Sequence, residues 1–264
     1  MRVHEVNCGA MRPPGGVLMD GQTPGLGAAM LACRCLVLET ADGLVAVDTG
    51  TVGQDAEQSR RAHHPLFLAV DNLRLDPAES MAARVRQLGH RPEDVRHLVM
   101  THLDFDHAAG VGDFPWASVH LSDTEAAAAR ARDGAKARAR YRPDQWGSLT
   151  RWRPHGWAGQ KWFGLPAAPV VEGVLLVWLP GHTAGHCGVA AQEDDGSWVL
   201  HAGDAVFFRR ELGNQPSMPS GARAYQWAME VSQRQRRASL RRLREVARSG
   251  AVRVVCTHDP AGMA

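Results

Sequence analysis

Thr101-His102-Leu103-Asp104-Phe105-Asp106-His107 sets two histidines and two carboxylates into positions 102 to 107, directly after the apolar run Leu98-Val99-Met100. Such a run reads as a strand, and a strand end is where a rigid sheet hands over to a loop whose side chains can converge. The chain repeats the arrangement three more times. Pro180-Gly181-His182-Thr183-Ala184-Gly185-His186 follows Val174-Leu175-Leu176-Val177-Trp178-Leu179, and Ala202-Gly203-Asp204 follows Trp198-Val199-Leu200-His201. Thr257-His258-Asp259 follows Val252-Arg253-Val254-Val255-Cys256. Recurrent His and Asp at strand ends describe a metal site built on one edge of a sheet. The donor types suit zinc and other divalent first-row metals.

Length and composition bound what surrounds that site. The 264 residues suit one domain, 1–264, large enough for a substantial core. A net charge of +2 gives no reason to expect a nucleic-acid partner. No apolar stretch is long enough to span a bilayer, and Met1 to Asn7 lacks the apolar core of a secretion signal, so a cytoplasmic protein with no membrane partner is expected. Five cysteines, at no framework spacing, fit reduced thiols. No Gly-x-Ser-x-Gly elbow supports serine catalysis.

Cys35 to Thr40 and Leu44 to Asp48, joined across Gly43, read as a β-hairpin. A helix is predicted over 77–88, a strand over 96–100 and another at 119–121. Ser122-Asp123-Thr124-Glu125 has the pattern of a capping box opening a helix that runs to about Arg140. A long helix over 223–248, stopped by Gly250, precedes the last strand at 252–256. Hairpin-grouped strands alternating with helices imply two sheets between helical layers.

Residues 141 to 168 follow no period and hold four of the eight tryptophans, Trp146, Trp152, Trp157 and Trp162, with Arg142, Arg151, Arg153 and Lys161. This segment reads as an insertion. Trp146, Trp152 and Trp157 are the candidates for a wall of the substrate pocket. The same residues would also suit packing on the domain or the interface of a homodimer. His63, His64, His90, His97, His120 and His155 have no ligand company and read as surface or core, and His201 as structural.

These motifs, with Asp48 closing Leu44-Val45-Ala46-Val47, resemble the metallo-β-lactamase superfamily over residues 30 to 259. Its signature is H-x-H-x-D-H followed by a distant His, Asp and His. The resemblance implies an αββα sandwich of two mixed β-sheets flanked by helices, holding two divalent metal ions. Zinc is the expected metal, with manganese or iron as alternatives. His102, Asp104 and His182 would hold one ion and Asp106, His107 and His258 the other, with Asp204 bridging. Asp106 would also serve in catalysis, while Asp48, His186 and Asp259 would orient ligands. Two such ions can trap a hydroxide and polarise a carbonyl or phosphoryl oxygen.

Asp104 departs from the pattern, since it stands where the family has its second His. With three carboxylates and one hydroxide against two divalent cations, the formal charges cancel, which implies a less acidic bridging water and a greater taste for harder metals. Within the superfamily the chain is most similar to the N-acyl-homoserine lactonase group, which implies a hydrolase of a small ester or lactone. That group places a Tyr three residues after the bridging Asp. Here the position is Phe207, a candidate substrate contact, and Tyr225 or Tyr141 would have to supply a phenol from elsewhere. The arginines and tryptophans of the insertion equally suit a phosphate or sulfate ester, and a thioester is a further alternative. A metal-binding scaffold without catalysis is the reading from another class.

Overall fold

A computed structural model describes residues 1–146 and 151–261. The first sheet contains, in spatial order, β1 (Arg2–Met11), β2 (Leu31–Thr40), β3 (Gly43–Val47), β4 (Val95–Val99), β5 (Ser118–Ser122) and β6 (Trp152–His155). The second runs backwards through β12 (Val252–Val255), β11 (Trp198–His201), β10 (Cys187–Gln192), β9 (Val174–Trp178), β8 (Leu165–Val171) and β7 (Lys161–Trp162). Both sheets are mixed. β1 to β3 pair antiparallel and β3 to β6 parallel, whereas in the second sheet only β11 and β12 pair parallel. The β2–β3 hairpin closes with Thr40 opposite Gly43, whose φ of +106° a side chain would resist.

The helices are α1 (Ala56–Ala62), α2 (Pro65–Val70), α3 (Met81–Gln87), α4 (Phe105–Ala108), α5 (Asp123–Ala131), α6 (Gly134–Arg140), α7 (Pro143–Trp146), α8 (Ser220–Met229) and α9 (Gln233–Arg248). Leu36, Leu38, Val45, Val47 and Val99 of one sheet meet Leu176, Val189, Val199 and Val255 of the other in a core between the layers. The outer face of the first sheet packs on α3 and α5 through Val37, Ala46, Leu98 and Val119. That of the second packs on α9 through Leu240, Leu243 and Val246. This is the αββα sandwich expected, and hydrophobic residues on both faces of its central strands are its cause.

Three expectations need correcting. The helix expected to run from Ser122 to about Arg140 is broken in two, because Arg132 turns left-handed at φ +49° after α5 and Gly134 opens α6. The helix expected over 223–248 is two helices. Val231 and Ser232 turn their N–H groups to the Gly181 carbonyl instead of continuing the spiral, and Ser232 caps α9. The Trp/Arg-rich insertion is largely part of the sandwich, apart from residues 147–150, which lie outside the described residues. Trp152 begins β6, and the stretch from Lys161 on forms β7 and β8.

Candidate metal centre

Parallel strands deliver the ligands. β4 leads into the 101–107 loop, and β5, with α5 behind it, supports that loop from outside. β9, β11 and β12 end at His182, Asp204 and His258 on the neighbouring edge of the second sheet. His102, Asp104, Asp106, His107, His182, Asp204 and His258 are all buried.

Two groups of donors form there. One comprises Asp106, His107, Asp204 and His258, the other His102, His182 and Asp204. Asp204 turns one oxygen to each. Its Oδ1 lies 3.2 Å from His107 Nε2 and 3.1 Å from His258 Nε2, and its Oδ2 lies 3.4 Å from His182 Nε2 and 4.0 Å from His102 Nε2. Asp106 Oδ2 is 3.5 Å from both His107 Nε2 and His258 Nε2. Bonds of about 2.0–2.2 Å to a tetrahedral ion place its donors roughly 3.3–3.6 Å apart, so the spacing fits cations. The donors also lack other partners. His102 Nε2, His107 Nε2 and Asp204 Oδ1 are buried without a hydrogen bond, a state that a bound metal would relieve.

Asp104 stands beside the second group. Its Oδ2 is 2.9 Å from His182 Nε2 and 3.6 Å from His102 Nε2, while its Oδ1 meets Arg140 Nε at 2.8 Å. Burial raises the Asp104 pKa, but the Arg140 and His102 charges more than offset this and hold it well below the usual carboxylate range. The charge count drawn from sequence omitted Arg140. With its guanidinium included, the site carries one more positive charge, and the argument for a less acidic water no longer holds.

A shell of hydrogen bonds aims the ligands. His107 Nδ1 donates to Asp48 Oδ2 at 2.7 Å, and the Asp48 carboxylate also accepts from the backbone N–H and hydroxyl of Thr101. Asp48 does this from a left-handed φ of +56°, a cost tolerated where it fixes a ligand. His186 Nδ1 donates to the Leu179 carbonyl at 2.9 Å and its Nε2 accepts the Asp204 N–H at 2.8 Å. A Cβ on Gly203 would come within 2.5 Å of that same nitrogen, so glycine is required there.

Asp259 does not play the part expected of it. Its side chain accepts the N–H groups of Arg209 and Ala261, and His258 Nδ1 instead donates to the Ala32 carbonyl at 2.8 Å. Glu125 also differs from its capping-box reading. Ser122 caps the helix, but the Glu125 carboxylate turns inward to the Leu103 N–H and the Thr183 hydroxyl, tying two ligand loops together.

The tryptophans expected at the pocket pack elsewhere. Trp146 and Trp152 lie in the core outside the first sheet, with ring centroids 5.8 Å apart, and Trp157 lies on Trp178 at 4.7 Å. Burial of large apolar area decides their place. Phe207 does reach the site. Its ring centroid is 4.7 Å from that of His258 and 6.3 Å from that of His182. It belongs to an apolar cluster with Met11, Leu31, Phe105 and Phe208, against which half-buried Phe67, Leu73, Met218 and Tyr225 pack. Asp71 adds a feature the sequence did not single out. It is fully buried at the end of α2 with the Tyr225 phenol as its neighbour, and burial together with the Asp106 charge outweighs that contact and pushes its pKa to about 7. An isolated Asp after an apolar helix carries no local pattern that would have found it.

Comparison with known proteins agrees with this geometry. Residues 29–258 match the model of the metallo-beta-lactamase superfamily. A probable metallo-hydrolase of Mycobacterium tuberculosis is 38% identical over 266 residues, covering 98% of this chain and 81% of its own length. An N-acyl homoserine lactonase of Bacillus cereus is 25% identical over 182 residues, covering 69% of this chain and 66% of its own. A solved N-acyl homoserine lactone hydrolase, with N-hexanoyl-L-homoserine bound at its catalytic metal center, superposes with a TM-score of 0.72 at 21% identity, covering 98% and 93% of the two chains. The chain belongs to the metallo-beta-lactamase superfamily and is a metal-dependent hydrolase.

Proposed function

We propose that the chain hydrolyses the ester bond of a lactone or small ester bearing an apolar group. The observation that carries this reading is the pair of donor groups sharing Asp204, directly beside the apolar cluster that Phe207 leads. Divalent ions held by these residues supply a Lewis acid and an acidified water. Zinc is the metal proposed, with manganese or iron as alternatives, because imidazole and carboxylate donors serve all three.

The chain's own residues do the rest. Asp106 and Asp204 hold the reacting region beside His107 and His258, and Phe207 keeps bulk water from one side of it. Burial and then the carboxylates of Asp71 and Asp106 raise the Tyr225 phenol well above its usual pKa, so it stays a hydrogen-bond donor. Tyr225 packs against the Phe207 cluster, whereas Tyr141 packs against Trp146, so Tyr225 is the phenol proposed to meet the substrate.

The reading as a phosphate or sulfate esterase leaned on the insertion's cations. Arg142 and Arg151 are instead spent on the backbone carbonyls of Ala62 and of Phe114 and Ala117. The test is a panel of lactones, carboxylic esters, thioesters, phosphodiesters and sulfate esters, run on zinc-, manganese- and iron-loaded protein. Turnover of lactones or esters that rises with apolar chain length and is abolished by a chelator is expected. Turnover confined to phosphate or sulfate esters would overturn the proposal, and a fully metal-loaded protein inert on the whole panel would favour a scaffold.

A further inference from the structure

Arg140 is the last residue of α6, and its guanidinium is buried against the metal loop at 3% exposure. Each of its nitrogens has an assigned neighbour. Nε faces Asp104 Oδ1 at 2.8 Å, one terminal nitrogen donates to the His182 carbonyl at 3.2 Å, and the other to the Met229 carbonyl at 2.6 Å. It therefore contacts both a candidate ligand and the backbone of another. The remaining Asp104 oxygen, Oδ2, is left facing His182 Nε2 and His102 Nε2, at 2.9 and 3.6 Å.

We infer that Arg140 is a positioning residue that makes Asp104 a single-oxygen, charge-compensated donor to the metal position of the His102 and His182 group. The inference rests on the reading of this cluster as a metal centre. Two physical arguments support it. A carboxylate with one oxygen held in a 2.8 Å ion pair by a buried guanidinium, close enough for charge though not aligned as a hydrogen bond, resists turning both oxygens to an ion, so its denticity is biased before metal arrives. Asp104 and Arg140 together also carry no net charge, so the pair presents the ion with a neutral unit, as a histidine would. Neither member is then exchangeable alone. An imidazole at 104 would leave a buried guanidinium without its anion, facing a bound dication.

The consequence runs against intuition, because Asp104→His looks like the gift of a better zinc ligand. The test compares wild type, Asp104→His, Arg140→Met and the double variant, all loaded with zinc. Metal per chain is read by elemental analysis, affinity by competition with a chelating dye, and melting temperature with and without chelator. Asp104→His should hold its more weakly bound zinc on the order of tenfold to a hundredfold less tightly than wild type. Adding Arg140→Met should return affinity and zinc content to the wild-type level. A helix anchor with no part in the metal site would not produce that rescue.

Should Asp104→His fail to fold, recovery of soluble, zinc-binding protein in the double variant supports the pairing, and a double variant no better than the single one overturns it. Wild-type zinc affinity in Asp104→His overturns it as well, while leaving the metal centre itself standing. Wild type that takes up no second zinc removes the metal reading, and the inference falls with it.

Discussion

The two donor groups that share Asp204 are held by different means. In the Asp106, His107 and His258 group each histidine has an anchor behind it, a carboxylate for His107 and a backbone carbonyl for His258. In the His102 and His182 group the anchoring is looser. His102 Nδ1 has only the Thr101 hydroxyl, at 3.0 Å, and His182 Nδ1 is buried without a partner. What this group has instead is an ion pair, Asp104 with Arg140. Hydrogen bonds behind a ligand fix its direction and raise its basicity, so the better-anchored group should bind its metal more tightly.

The most severe way to test that contrast is to remove what both groups share. Asp204→Asn should leave less than about one hundredth of the activity and lower the metal content at both positions, since a neutral amide is a poor bridge. Retention of two metals with near-normal turnover would mean Asp204 does not bridge. Asp48→Asn acts directly on one side, through His107, and reaches the other only through the Thr101 hydroxyl. It should weaken the tighter metal about 10–100-fold, bringing the two affinities together, as seen in a zinc titration. If only the weaker metal were lost, the ranking of the two groups would be reversed.

Phe207 lies against His258 at 4.7 Å and more loosely by His182 at 6.3 Å, so its removal should touch both groups. Phe207→Ala should lower kcat/KM by about tenfold or more with zinc content intact, and destabilise the fold by about 3–5 kcal/mol through the cavity it leaves. Loss of metal instead would make Phe207 a prop for the histidines and not a wall for substrate.

Smaller and opposite effects are expected of Asp71→Asn. It removes a buried carboxyl whose desolvation outweighs its contact with the Tyr225 phenol, so the melting temperature should rise while kcat/KM falls. A fall in both would show that the contact with Tyr225 outweighs the cost of burying the carboxyl.

The smallest effect lies far from both groups. His97 Nδ1 contacts His120 Nε2 at 3.0 Å, and His120 Nδ1 contacts His155 Nε2 at 2.9 Å, across three parallel strands. Burial, then the neighbouring His155 and His97, pushes the His120 pKa down to about 3. Its folded pKa lies below the unfolded value of about 6.5, so the unfolded chain binds the extra proton between those pH values and stability falls as pH drops through that window. His120→Phe should remove about one proton from the uptake on unfolding at pH 5, measured from the pH dependence of stability. An unchanged slope would show that His120 titrates normally.

How much of this was legible in the sequence depended on the range of the contacts involved. His102, Asp106, His107, His182, Asp204 and His258 could be read because they stand at the ends of four apolar runs, a pattern contained within a few residues. The two-sheet fold followed from the same runs. Arg140 could not be read. It is one arginine among several in a helix rich in Ala and Arg, and only folding brings it to Asp104. The Ala32 carbonyl that orients His258 carries no side-chain signature, so Asp259, adjacent in sequence, looked the better partner. The tryptophans misled for a related reason. Their clustering between two motifs suggested a pocket, but β6 places Trp152 beside Val119 in the first sheet, where apolar area is buried.

The placement of the candidate ligands on two different sheets has a mechanical meaning. His102 and His107 belong to the loop after β4, while His182, Asp204 and His258 belong to loops of the other layer. Metal held by these residues would therefore rivet the seam of the sandwich, closing loops far longer than those that hydrogen bonds along the strands close. A chelated protein should keep both sheets yet loosen where they meet. Amide exchange would then quicken first along the loops at that seam, and leave the strands beneath them protected.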